Sequence, residues 1–290
     1  MLHALAPPAR RRQLSRSFRQ AMINGHTDII AHIGYPTHTF KSPMIYNPYF
    51  ESAGIPVVVV PMACQAGHFD RFLPAVFSLD NVRGALITMP HKVAVVDLLD
   101  EVTPTVRMAG SCNAVKKTAD GRLVGDMFDG IGFVRGLSRK GFEFKGRSAL
   151  VIGSGGVGSA IAASLAQTGL AGIDIHDVND AMAQALAARL REHAPGLRVR
   201  TGHNDAAAHD LVVNATPLGM RASDPPPTDL SRLSSRHWVA EVVMSAQHTP
   251  LMEKARQLGC PLQVGTDMLF EQIPAYLEFF GLPDRKSTRL

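Results

Sequence analysis

Cysteine is scarce: three in 290 residues, at Cys64, Cys112 and Cys260. They are far apart, with no CxxC and no metal-ligand spacing, so neither a disulfide framework nor a zinc ribbon is expected. The histidines form no HExxH or HxxxH pattern, and no metal site is expected. No apolar run reaches the roughly 18 residues that a membrane-spanning helix needs. Charged residues are only 19% of the chain against 46% hydrophobic. That excludes a disordered polyelectrolyte and allows a substantial core, in one large domain or two ordinary ones. Scarce, unpaired cysteines suit a reducing cytoplasm.

The formal charge of +5 is unevenly placed. Residues 1–21 hold Arg10, Arg11, Arg12, Arg16 and Arg19 and no acid, and Arg285, Lys286 and Arg289 close the chain. Without those eight, 22 basic residues face 25 acidic ones, so residues 22–284 carry −3. A nucleic-acid surface spread over the body is not indicated. Residues 1–21 read as a basic, Pro-containing tail, either a disordered extension ahead of Met22 or a targeting presequence. Residues 285–290 read as a second unstructured tail after the Gly281-Leu282-Pro283 helix stop.

The body alternates short β-branched runs with helical stretches. Strands are expected at 28–35, 55–61, 84–89, 148–152, 173–176, 199–201, 211–214, 239–243 and 262–264. Helices are expected at 44–53, 67–79, 93–100, 130–140, 159–168, 180–193 and 267–280. Two further strands flank the Asp120-Gly121 turn, a hairpin signal. The order as a whole argues an α/β fold, and the alternation from 148 onward a parallel, doubly wound sheet.

The strand Ser148–Ile152 opens directly into Gly153-Ser154-Gly155-Gly156-Val157-Gly158, ahead of an Ala-rich helix. Alone, GxGxxG is a weak pattern. Between a strand and a helix it fits a dinucleotide site, with turn, close approach to a pyrophosphate, and helix packing assigned to successive glycines. Asp177 follows Gly158 by 19 residues, at the end of the next strand. A carboxylate there accepts ribose hydroxyls and repels a 2′-phosphate. No arginine occurs from Val178 to Ala183, so NAD is expected over NADP.

Hydride transfer needs a proton donor or acceptor at the carbinol oxygen. Lys92, after Thr88-Met89-Pro90-His91, is the strongest candidate. Asp129, in Gly125-Asp126-Met127-Phe128-Asp129-Gly130, is a helix cap or the lysine's partner. Taken singly, a solvated lysine and a plain cap are the ordinary readings. His91, beside Lys92, is a lesser candidate for substrate contact, and Trp238 reads as core.

Together the motifs are more specific. Gly34-Tyr35-Pro36 through Lys41-Ser42-Pro43, Thr88 to Lys92, Ala109-Gly110-Ser111-Cys112-Asn113 and Asp126-x-x-Asp129-Gly130 come first. The glycine loop, Asn214-Ala215-Thr216-Pro217-x-Gly219-Met220 and Gly265-x-x-Met268-x-x-x-Gln272 follow. In order and spacing, over residues 27–283, the chain resembles the shikimate dehydrogenase family.

The resemblance implies an N-terminal α/β substrate-binding domain at 22–128, completed by a C-terminal helix at 266–284. A Rossmann NAD(P)-binding domain at 129–265 faces it across a cleft. It implies a catalytic pair, Lys92 and Asp129. Ser42, Thr88, Asn113 and Gln272 would contact substrate, with Phe40 beside them. Gly153, Ser154, Gly155, Gly156, Val157, Gly158, Asp177, Asn214, Ala215, Thr216 and Gly265 would meet the cofactor. The implied reaction is NAD-dependent interconversion of ring hydroxyl and ketone in shikimate, quinate or a related cyclic hydroxy acid. A monomer or homodimer is expected.

Five positions depart from the family pattern. Phe40 replaces the first serine of a Ser-x-Ser pair that binds the substrate carboxylate. Met127 and Phe128 stand where Asn-Thr is common, Met244 aligns with a tyrosine, and Leu86 with an asparagine. A carboxylate losing its donors loses about 1–3 kcal/mol per partner, so shikimate itself is expected to be a weak substrate. Main-chain groups, or Thr37, Thr39 and Lys41, are the alternative donors. Two rivals remain: a catalytically silent, ligand-sensing relative, and a folate-type NAD(P) dehydrogenase.

Overall fold

A computed structural model describes residues 23–244 and 248–284. The tails read at 1–21 and 285–290 lie outside the described residues. β-Branched and apolar runs build the first sheet: β1 (Asp28–Gly34), β2 (Val57–Ala63), β3 (Val82–Ile87), β4 (Glu101–Val102), β5 (Ala114–Lys117) and β6 (Leu123–Asp126). Their spatial order is β2-β1-β3-β5-β6-β4. β1 pairs in parallel with β2 and β3, whereas β5 runs antiparallel to both β3 and β6. The antiparallel β5–β6 pair is the hairpin expected around Asp120-Gly121. Gly121, at φ 87°, closes a turn between β5 and β6 that is too short for a crossover.

The second sheet is fully parallel. It contains β7 (Ser148–Ile152), β8 (Gly172–His176), β9 (Arg198–Thr201), β10 (Leu211–Asn214), β11 (Trp238–Glu241) and β12 (Leu262–Gln263). The order β12-β11-β10-β7-β8-β9 reverses direction between β7 and β10. The C-terminal ends of those two strands therefore form the switch-point crevice where such folds take ligands. Ala149, Leu150, Val151 and Ile152 of β7 are all buried, as a central strand covered on both faces requires.

Among the described residues, eight α-helices cover the sheets: α1 (Ser42–Ala53), α2 (Phe69–Phe77), α3 (Pro104–Ala109), α4 (Asp129–Arg139), α5 (Gly156–Leu165), α6 (Asp180–His193), α7 (Pro250–Leu258) and α8 (Gly265–Phe279). The helix expected at 93–100 is a 3-10 turn, Ala94–Leu98, followed by β4. The short helices α3 and α7 were not foreseen. Each starts with a Thr-Pro pair, the threonine Oγ accepting a backbone N–H of the first turn. Ile273, Tyr276, Leu277 and Phe280, on or just after α8, pack with Ile30, Val57, Val59 and Leu86 of the first sheet. α8 thus leaves the second sheet and covers the first. It also meets α4, where a Cβ on Gly132 would fall 3.0 Å from the Gln272 Cβ.

Candidate active site

β3 delivers Lys92 to the gap between the two sheets. The backbone leading to it is held on both sides. His91 is buried, its Nε2 2.7 Å from the Cys64 carbonyl and its ring stacked on Phe69 at 4.0 Å. His91 is therefore an anchor in the core and not a substrate contact. The Lys92 carbonyl accepts the Cys112 N–H at 2.7 Å. Asp129 opens α4, where the helix N-terminus favours a negative charge. The Lys92 Nζ lies 2.5 Å from Asp129 Oδ2, with the two side chains 13% and 6% exposed.

Asn113 bonds to the backbone just ahead of Asp129. Its Oδ1 accepts the Phe128 N–H at 2.9 Å, while its Nδ2 is buried with no protein partner. Gln272, one face of α8, is buried with Oε1 likewise unpartnered. A buried donor and a buried acceptor left open are costly unless something else binds them. A hydroxylated ligand supplies both. Ser42 begins α1, and Thr88, half-buried, follows β3. Phe40 stacks on His32 at 4.0 Å. Burial, and to a lesser degree the Lys92 charge, push the His32 pKa down to about 3. His32 therefore brings no cation to this end of the site at neutral pH.

The glycine loop stands against the lysine. A Cβ on Gly156 would lie 2.9 Å from the Lys92 Cβ, and the Gly156 carbonyl accepts the Ser111 hydroxyl at 3.0 Å. Gly153 turns with φ 99°, and a Cβ there would meet the Ala215 carbonyl at 2.8 Å. Gly155 caps α5, and a Cβ on it would have nothing within 4 Å. This open face at a helix N-terminus fits a dinucleotide pyrophosphate. Asp177 Oδ2 accepts the Ser154 N–H and hydroxyl at 2.6 and 2.7 Å, and Oδ1 accepts the Asn179 N–H at 2.9 Å. Burial raises the carboxyl pKa, but the donors of Asn179 and Ser154 outweigh it and hold Asp177 below the usual carboxylate range.

One residue of the site has no counterpart in the sequence reading. Glu241, at the end of β11, is 1% exposed. Its carboxylate accepts Asn214 Nδ2 at 2.9 and 3.0 Å, the Thr249 hydroxyl at 2.9 Å and the Val243 N–H at 3.1 Å. Asn214 Oδ1 in turn accepts the Thr216 hydroxyl and N–H at 2.6 and 3.1 Å. Burial pushes the Glu241 pKa up, against these donors. The available signal was an acid inside the apolar run Val239–Val243. Gly265, first in α8, lies against Met244, whose Cγ would be 2.7 Å from an added Cβ.

A dinucleotide-type sheet and a mixed α/β sheet, meeting at a glycine loop and a buried Lys–Asp pair, define the class: an NAD(P)-dependent dehydrogenase. A family model described as the shikimate dehydrogenase substrate binding domain matches residues 32–115. A shikimate dehydrogenase (NADP(+)) of Desulforamulus reducens is 32% identical over 259 residues, 86% of this chain and 88% of that one. A quinate/shikimate dehydrogenase (NAD(+)) of Corynebacterium efficiens is 39% identical over 213 residues, 71% of this chain and 75% of that one. The solved quinate dehydrogenase from Corynebacterium glutamicum, in complex with NAD, superposes with a TM-score of 0.79 at 32% identity, covering 91% of this chain and 97% of that one. The chain belongs to the shikimate dehydrogenase family. These relatives are named as enzymes and give the ligand-sensing reading no support.

Proposed function

We propose that this oxidoreductase uses NAD in preference to NADP, and that Lys92 and Asp129 are its catalytic pair. The carrying observation is the 2.5 Å Lys92–Asp129 hydrogen bond, with the lysine stem against Gly156 of the glycine loop. When bound, NAD supplies the hydride acceptor, and its reduced form the donor in reverse. The residues proposed to hold it are Gly153 to Gly158, Asp177, Asn214 to Thr216, and Gly265. Its relatives include both NAD and NADP enzymes. Asp177 and the lack of arginine from Val178 to Ala183 support NAD.

In ketone reduction the Lys92 ammonium donates a proton to the carbonyl oxygen. In alcohol oxidation the lysine takes the hydroxyl proton back. Asp129 orients the ammonium. Asn113 Nδ2 and Gln272 Oε1, with Thr88 and Ser42, engage the ring hydroxyls. Holding ring and lysine in one cleft supplies much of the rate.

The substrate is a cyclic alcohol related to shikimate or quinate, with shikimate itself turned over weakly. The proposed division is 22–128 plus 266–284 for the substrate and 129–265 for the cofactor. The buried free thiols of Cys64, Cys112 and Cys260 support a reducing, cytoplasmic setting. Initial rates with shikimate and quinate, each with NAD and NADP, test this reading. NADP-only turnover would contradict the cofactor assignment.

A further inference from the structure

Between α1 and α8 lies a groove of about 270 Å³. Its apolar lining is Met44, Ile45, Met244, Leu269 and Phe270, and its polar lining is Lys41 and Thr266. Leu269 precedes Gln272 by three residues and shares its face of α8. Met44 and Ile45 sit in the first turn of α1, just after Ser42. The groove therefore lies beside the first turn of α1, which Ser42 opens, and along the face of α8 that carries Gln272.

Three of its walls stand in water: Met44 is 72% exposed, Met244 42% and Phe270 38%. Apolar side chains left open beside a site gain when an apolar group covers them. Methionines fit varied shapes. A bare carboxylate directed here would find Lys41 as its one charged partner and would otherwise lie against Met44, Ile45, Met244, Leu269 and Phe270. Beside Ser42, the Phe40–His32 stack offers no charge. Among the described lining residues, Lys41 alone is charged.

We propose that this groove receives an uncharged, apolar substituent of the substrate ring, an aryl or short alkyl group carried through an ester or amide. The proposal rests on the dehydrogenase reading of the cleft. It takes the apolar group as a recognition element that sets which ring alcohols are oxidised.

The probes are free shikimate and its methyl and benzyl esters, tested by initial rates of NAD reduction and by calorimetric binding to the protein with NAD present. The benzyl ester is expected to exceed the free acid in kcat/KM by about ten-fold or more, the methyl ester falling between. In the double variant Met44→Ser, Phe270→Ser, that ratio is expected to fall toward one. Free acid turned over as well as the benzyl ester, or a ratio unchanged in the variant, overturns the proposal and leaves the dehydrogenase reading standing. Ester binding that the variant weakens, without turnover of any probe, supports the groove and contradicts the assigned ring chemistry. No ester binding overturns the groove.

Discussion

Lys92 and Asp129 are 37 residues apart in the chain, yet their side chains meet at 2.5 Å in a largely buried setting. The contact bridges the end of the first sheet and the first turn of α4. It needs both the pinned backbone at His91 and the start of α4 to be in place. Such a pair can hold a proton at a fixed point beside the glycine loop.

Replacing Lys92 with Ala, or Asp129 with Asn, is expected to lower kcat by about 10²–10⁴-fold. NAD affinity, measured by NADH fluorescence titration, should stay within about two-fold, because neither side chain is assigned to the nucleotide. A Lys92→Ala enzyme of near-normal kcat would remove the lysine from the chemistry.

Asp177→Ala is expected to raise KM for NAD by about ten-fold and to give NADP relative ground, as a bidentate acceptor and a repulsive charge are lost together. Asp177 also holds Ser154. The variant's NADP constants therefore carry the information: an NAD:NADP ratio unchanged from wild type would show that Asp177 does not read the ribose.

Glu241→Gln places an amide donor against Asn214 Nδ2. The expected cost is about 1–3 kcal/mol in denaturant unfolding. KM for NAD should rise more than kcat falls, because the network orders Asn214 to Thr216 and not the Lys92 pair. An equal fall in kcat with KM unchanged would speak against that role.

Stability should fall in mild acid through His32. Its folded pKa of about 3 lies below the unfolded value near 6.5. Below about pH 6.5 the unfolded chain binds a proton that the folded chain refuses. Stability from neutral His32 is thus complete above that value, and is lost at up to about 1.4 kcal/mol per pH unit on the way toward 3. Equilibrium unfolding at stepped pH should show this slope, and His32→Asn should flatten it by one proton's worth. An identical slope in the variant would assign the acid sensitivity elsewhere.

Much of the second half was legible from sequence, because its strands are continuous apolar runs and α6 spans Asp180–His193 as its pattern predicts. The glycine loop was readable because strand and helix flank it. The first sheet was less so. The hairpin of β5 and β6 was readable from Asp120-Gly121, but helices of six and nine residues, α3 and α7, are too short for periodicity to register. Single residues exposed the same limit. His91 could be placed in the core only once Phe69 and Cys64 were seen around it. Glu241 became visible only when Asn214 and Thr249, from two other segments, converged on its carboxylate.

The most direct test of the central claim is NAD reduction by the wild-type enzyme and Lys92→Ala, with shikimate, quinate and the benzyl ester of shikimate as substrates. The wild type is expected to turn over with NAD, weakest on free shikimate, and the variant to lose that signal. Equal rates in the two proteins, or NADP-only turnover of free shikimate at low KM, would contradict that claim.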